Sequence, residues 1–455
     1  MKYEDVIEAV PKYEDFLTVD ELNESSRMLT EKHPDLVKFF QIGKSTCGEP
    51  IYTLKVGEGE SKAILIGFPH PNEPVGSLTI EFFSKMLVEN KSLREQLNFT
   101  WYFIKVADVD GARLNEGWFK GRYENVKYVL NLYRPPTNKQ VDRNFPIEYK
   151  TLKWDKPIPE TKAIMNLIDR VKPNFIFSLH NDSFSGVYFY VSEICPSLYP
   201  KLKRLAISQN LHLHMGEPYP YFQKLDDGVF HMPVEEVVYD YLEKYSGKDP
   251  ATIRKYGAGV WDYAMRVSNT FTIICEVPYI FNEKISDKTP TTITKRMAVL
   301  RSVETSEEIY NLVKERYDRL ENLLDPESSF YDVVTEYIKC HKSMLDAKKN
   351  WAETNRSLNV PATVSEVFEK VVIEKYKGLE MVGQFIRLLD ESIRRCASEK
   401  SKLQKERSLL LMELKRLNKE ANKDTKFEVV PIQKLVRIQV GTALHAADFI
   451  SHTGV

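Results

Sequence analysis

Two side chains able to hold a metal ion stand three residues apart in "GFPHPNEP": His70 and Glu73, directly behind the apolar run "AILIGF". The spacing alone says little, since nine histidines among 65 acids produce such pairs by chance, and His445-Ala-Ala-Asp448 is another. Context separates the two. Two more polar residues close strand-like apolar runs: His180 ends "NFIFSLH" and Glu276 ends "TFTIICE". An open α/β sheet binds ligands outside the carboxyl ends of its strands, so these runs would bring His70, His180 and Glu276 to one edge. Two imidazoles and a carboxylate are a ligand set of catalytic zinc, which leaves its fourth position open. Such an ion polarises a carbonyl and makes water more acidic; a further carboxylate must then carry the proton. Glu276 suits that role, because its neighbours in "TIICEVPYI" are apolar and a buried carboxylate without a partner is too costly to persist. A structural salt bridge would also explain it. His445-Ala-Ala-Asp448 has no strand before it, and "LHLH" (Leu211 to His214) has no third ligand nearby, so both read as structural.

The elements that must position these residues alternate along the first part of the chain. "TVDE" has capping-box spacing and opens a helix from Thr18 to about Lys32. "LVKFFQIG", "IYTLKVG" and "AILIGF" read as strands, and "PVGSLTIEFFSKMLVEN" as an amphipathic helix beginning at Pro74. "FTWYFIKVAD", "NFIFSLH", "GVYFYVS" and "NTFTIICEVP" complete the strand series. This alternation predicts an α/β layer with a mostly parallel sheet. From about Ser306 the pattern turns helical. Val382, Leu389, Cys396, Leu403, Leu410 and Leu417 repeat every seven residues, while the companion seam is charged in its middle. That predicts one long amphipathic helix, packed in a bundle or extended as a coiled-coil arm. Two domains follow: an α/β catalytic domain over 1–305 and an all-helical C-terminal domain over 306–455.

"GFPHPNEP", "SLH" and "TIICEVP" resemble, in order and setting, the zinc carboxypeptidase family of the carboxypeptidase A type. "IGKSTCGEPIYTLKVG", "DGARLNEGWF" and "DRNFP" extend the resemblance over roughly residues 15 to 305. It implies a central mixed eight-stranded sheet flanked by helices, one zinc ion held by His70, Glu73 and His180, and Glu276 as general base. The family normally carries Asn-Arg-Asn before an aromatic, whereas this chain has Asp142-Arg143-Asn144-Phe145. Arg143 remains the expected anchor for a substrate carboxylate. Asp142 either orients Arg143, meets a substrate amine, or supports a ligand histidine from behind. The family's oxyanion-stabilising arginine corresponds to Arg122 or Arg113. A gapless count back from Glu276 places Arg254 and Tyr256 at the family's mobile tyrosine and Trp261 at the floor of its specificity pocket. The additional stretch "GEPYPYFQKLDDGVFHMP" (Gly216 to Pro233) is expected to be either a lid or a surface elaboration.

The bulk properties narrow the class. A 455-residue chain that is 42% hydrophobic can bury more than one core. Its formal charge of −1 offers no field for nucleic acid or an anionic membrane, and no apolar stretch reaches the ~20 residues of a membrane span. Five scattered cysteines and a charged, proline-broken N-terminus predict a cytoplasmic protein. The expected function is hydrolysis of a peptide or peptide-like amide next to a terminal carboxylate. An N-acyl amino-acid deacylase on the same scaffold and a catalytically silent binding module are the alternatives. The expected partners are a peptide or acylated amino-acid substrate and, through the C-terminal helices, a second copy of the chain.

Overall fold

In the computed structural model, which describes residues 2–216, 221–395, 399–423 and 425–453, the apolar runs form one mixed sheet. β1 (Val37–Lys44), β2 (Pro50–Val56), β3 (Ser61–Ile66) and β4 (Phe99–Ile104) come first, followed by a separate hairpin of β5 (Ile147–Tyr149) and β6 (Leu152–Trp154). β7 (Phe175–Phe184), β8 (Tyr188–Val191), β9 (Lys224–Asp226), β10 (Val229–His231) and β11 (Phe271–Phe281) follow. β12 (Pro290–Thr294) pairs with β13 (Pro361–Thr363), and β14 (Glu428–Val429) adds to the end of β11. The main sheet runs β1-β2-β4-β3-β7-β11-β8-β10-β9. Its centre, β4-β3-β7-β11, is parallel, and antiparallel pairs flank it.

The mixed sheet is as expected, but wider than eight strands. β9 and β10 are built from the stretch that the sequence left as a lid or elaboration, and they extend the sheet beyond β8. Residues 217–220 of that stretch lie outside the described residues. The capping box at Thr18 and Glu21 forms as read. The helix Val75–Glu89 is almost wholly buried, because it lies against β7: a Cβ on Gly76 would meet the Leu179 Cβ at 2.6 Å.

The helical part departs from expectation in two ways. The helix Lys295–Leu320 runs unbroken across residue 305, so no boundary falls there. A single hydrophobic core also joins sheet residues such as Phe177 to Leu389 and Leu444. The heptad seam, moreover, is two helices rather than one rod: Glu374–Arg395 and Lys400–Ala421 pack on each other as a hairpin. Leu389, Leu403 and Leu410 are fully buried there, while Cys396 lies outside the described residues. Charges at companion positions such as Arg407, which pairs with Asp390, could not all be buried along one rod. The two helices bury Leu389, Leu403 and Leu410 between them. Among the described residues no helix is long and apolar enough to cross a membrane.

Candidate active site

Parallel pairing places the chemistry. Glu276 on β11 sits directly beside His180 on β7, and Ile66 at the end of β3 sits beside Ser178. Four residues past β3 the chain delivers His70, through a turn in which buried Phe68 adopts a left-handed backbone (φ 49°). A bulky residue held there stores strain, a feature that concentrates at functional turns. Main-chain bonds from Ala107 and Asp108 to the carbonyls of Gly67 and Phe68 hold it in place.

The His70 and His180 rings lie 5.0 Å apart, and both are buried. His70 Nε2 faces Asp142 Oδ2 at 3.2 Å, which places the ring proton there. Nδ1 is thereby left as the bare nitrogen, buried and without a partner. Burial first, then Arg134, His180 and Arg143, hold the His70 pKa well below the usual range, so the ring is neutral and able to ligate. His180 Nδ1 stands 2.9 Å from Glu73 Oε2 and 4.0 Å from Glu276 Oε1. Its Nε2 stands 2.9 Å from Ser178 Oγ, two residues back on the same strand face. One ligating atom each from His70, Asp142 and His180 lie within 4.8 Å of one another. Glu73 Oε1 accepts from Arg134 Nη1 at 2.8 Å. Burial, then Glu73 and Asp182, push the Glu276 carboxyl well above its ordinary range. The bare His70 nitrogen and these carboxylates fit a divalent ion.

The residues expected at the substrate divide. Asp142 is buried beside His70, with the positive charge of Arg143 also acting on its carboxylate. Asn144 is fully buried and donates to the Gln140 carbonyl at 2.8 Å. Arg113 pairs with Asp20 and Glu49 at the surface, and Arg122 is exposed. The arginine beside Glu73 is instead Arg134, a correction to both choices. Arg143 donates to Glu235 Oε1 at 3.1 Å and lies over the Trp261 ring, 5.1 Å from its centroid. Trp261 is buried and donates to the Pro233 carbonyl at 2.9 Å. Arg254 is buried and also pairs with Glu235, with its guanidinium 4.3 Å from the Tyr256 ring centroid.

The C-terminal helices hold the site from outside. The Arg134 backbone N–H donates to Gln384 Oε1 at 2.8 Å, and Gln439 Nε2 donates to the His180 carbonyl at 2.8 Å. Neither glutamine was singled out in the sequence. The signal for Gln439 was present, a polar side chain inside "LVRIQVGTALHAA", and for Arg134 it was the Pro135-Pro136 pair that fixes its extended approach.

The zinc carboxypeptidase family model matches residues 22–278, more than half of the chain, and the chain belongs to that family. Mast cell carboxypeptidase A of Rattus norvegicus is 26% identical over 215 residues, 40% of this chain and 50% of that protein. The Mus musculus protein of the same name is 26% identical over 224 residues, 42% of this chain and 51% of its own. This chain therefore matches about half the length of those relatives. Carboxypeptidase A from Helicoverpa armigera is a structural neighbour at 16% identity and TM-score 0.40, covering 58% of this chain and 65% of that one.

Proposed function

We propose that the chain is a zinc-dependent metallocarboxypeptidase that hydrolyses a peptide or peptide-like amide bond beside a terminal carboxylate. The observation that carries this reading is the buried, unpartnered His70 Nδ1 in a ring 5.0 Å from that of His180. Zinc, when bound, would be held by His70, Glu73 and His180, and would supply Lewis-acid polarisation of the scissile carbonyl and of water. Glu73 is preferred to Asp142 as the third ligand because Asp142 already faces the outer nitrogen of His70, the usual place for a carboxylate that orients a ligand ring. Glu276, beside His180 on the neighbouring strand, takes the proton on its carboxylate and returns it to the leaving amine. Arg134 holds Glu73 in place and offers its remaining N–H groups to the oxyanion.

The test is zinc analysis alongside hydrolysis of N-acyl dipeptides. Wild type is expected to bind zinc and to lose activity on chelation. Glu276→Gln is expected to keep its zinc and lose ~10²–10⁴-fold in kcat; undiminished turnover in that variant would remove Glu276 from the mechanism. A second reading, an N-acyl amino-acid deacylase, is favoured by the small cavity of about 340 Å³ beside Arg134. Activity on acylated amino acids with none on dipeptides would select it.

A further inference from the structure

The turn that carries His70 and Glu73 has to be held by its surroundings. It leaves β3 through Phe68, whose left-handed backbone (φ 49°) is strained and persists only where neighbouring structure over-determines it. Main-chain bonds from Ala107 and Asp108 restrain its first residues. Between the two ligands lie Pro71 and Asn72. Pro71 seats against the bare backbone of Gly111, where a Cβ would stand 2.6 Å from the Pro71 Cβ. Asn72 is buried and gripped twice. Its side-chain Nδ2 donates to the Tyr128 hydroxyl at 3.0 Å, and its main-chain carbonyl accepts from the Tyr279 hydroxyl at 2.9 Å.

Tyr279 comes from the strand that carries the base. It stands three residues past Glu276 on β11, and strand alternation turns the two side chains to opposite faces. Tyr279 therefore points away from the reacting groups and into an aromatic cluster. Its ring lies 5.4 Å from those of Trp118 and Tyr123 and 5.9 Å from those of Phe16 and Tyr128. The residue is 3% exposed, and a buried phenol needs a partner for its hydroxyl. The partner here is the carbonyl midway between two metal ligands. Metal bonds tolerate errors of only about 0.2 Å, and the ligand set draws on this turn and on β7, the neighbour of β11. A hydrogen bond from β11 to the turn fixes one against the other.

We propose that Tyr279 is a positioning residue whose hydroxyl holds the His70–Glu73 turn against the strands that carry His180 and Glu276. What the turn is for rests on the hydrolase reading above; the restraint itself acts with or without a metal ion. Hydrogen bonds behind metal ligands typically govern affinity by roughly 10–100-fold.

Two measurements on the full-length protein test it: zinc affinity by competition with a chromophoric chelator, and amide hydrogen exchange over residues 68–76 without metal. Tyr279→Phe keeps the packed ring and removes only the hydroxyl. It is expected to weaken zinc binding by roughly tenfold or more and to speed exchange in the turn. Exchange in β4 should stay as in wild type, which separates local loosening from global unfolding. Tyr123→Phe removes a hydroxyl from the same cluster that faces Asn125 at 3.4 Å instead of the turn, and is expected to change neither readout. The proposal is overturned if Tyr279→Phe exchanges in the turn as wild type does, or binds zinc as tightly as a zinc-binding wild type. It is equally overturned if Tyr123→Phe loses as much as Tyr279→Phe, since packing of the cluster would then be the cause. Faster turn exchange in Tyr279→Phe beside a wild type that binds no zinc would leave this restraint standing and remove the hydrolase reading instead.

Discussion

The strand-end site and the helical wall facing it both bury charge, and they settle that charge differently. Around His180, His70 Nδ1, Asp142 Oδ1 and Asn181 Nδ2 are buried without partners. In the wall, most acids meet lysines: Glu366 with Lys295 at 2.7 Å, Glu369 with Lys370 at 3.2 Å, and Glu374 with Lys348 at 3.6 Å, and the unmatched atoms there, Glu369 Oε2 and His341 Nε2, are fewer. Native proteins leave few polar groups unmatched in their interiors. A cluster of unmatched groups therefore marks where something else is meant to bind, whereas a matched network marks scaffold. The wall's contribution to function is positional: Gln384 bonds the Arg134 main chain and Gln439 bonds that of His180.

The sharpest way to break this contrast is to hollow out the wall. Leu389 is fully buried in the hairpin, so Leu389→Ala is expected to cost roughly 2–5 kcal/mol of stability by urea unfolding. The folded fraction should still bind zinc as tightly as wild type. A loss of zinc affinity out of proportion to unfolding would show that the wall tunes the metal site directly. The converse change, Asp142→Asn, removes the charge behind His70 Nε2. It is expected to weaken zinc binding by roughly 10–100-fold while shifting the unfolding midpoint little.

The smallest expected effect lies where the two regions meet. Glu380, on the helix Glu374–Arg395, has a carboxyl pushed up to about 7 from an ordinary 4.5, by burial first and then by Asp182. A pKa raised on folding contributes stability that is fully present below the unfolded value and is lost as pH rises through the folded one. Between pH 4.5 and about 8, wild type is expected to lose roughly 1–2 kcal/mol that Glu380→Gln keeps, allowing for the solvent that the cavity admits. Unfolding curves across that range read the difference. Parallel curves for the two proteins would place Glu380 in a more solvated setting than the structure gives it.

The four residues named first, His70, Glu73, His180 and Glu276, were readable because strands impose a short-range rule. A polar residue inside or just past an otherwise apolar run is conspicuous, although His180 and Glu276 do not end their strands as read: β7 continues to Phe184 and β11 to Phe281. Arg134 was not readable in the same way: the choice fell on Arg122 and Arg113 by spacing from Asp110-Gly111, and distance along a loop does not fix where a long side chain ends. The extension of the sheet by β9 and β10 was hidden for a related reason, since "KLDDGVF" carries a hairpin turn whose pairing with β8 depends on a strand elsewhere in the sequence.

The sequence by itself determined the local elements and the residues at their ends: the capping box at Thr18, the strands carrying His180 and Glu276, and the turn bearing His70. Those follow from side-chain period and chain stereochemistry within a few residues. Only the tertiary structure decided that the leucine seam folds back on itself, that Asp142 stands behind His70, and that Glu235 engages Arg143 while leaving two Arg254 donors unmatched. These depend on which of several satisfactory partners a buried charge or apolar face meets, and that choice is made by packing between separate segments rather than by neighbours along the chain.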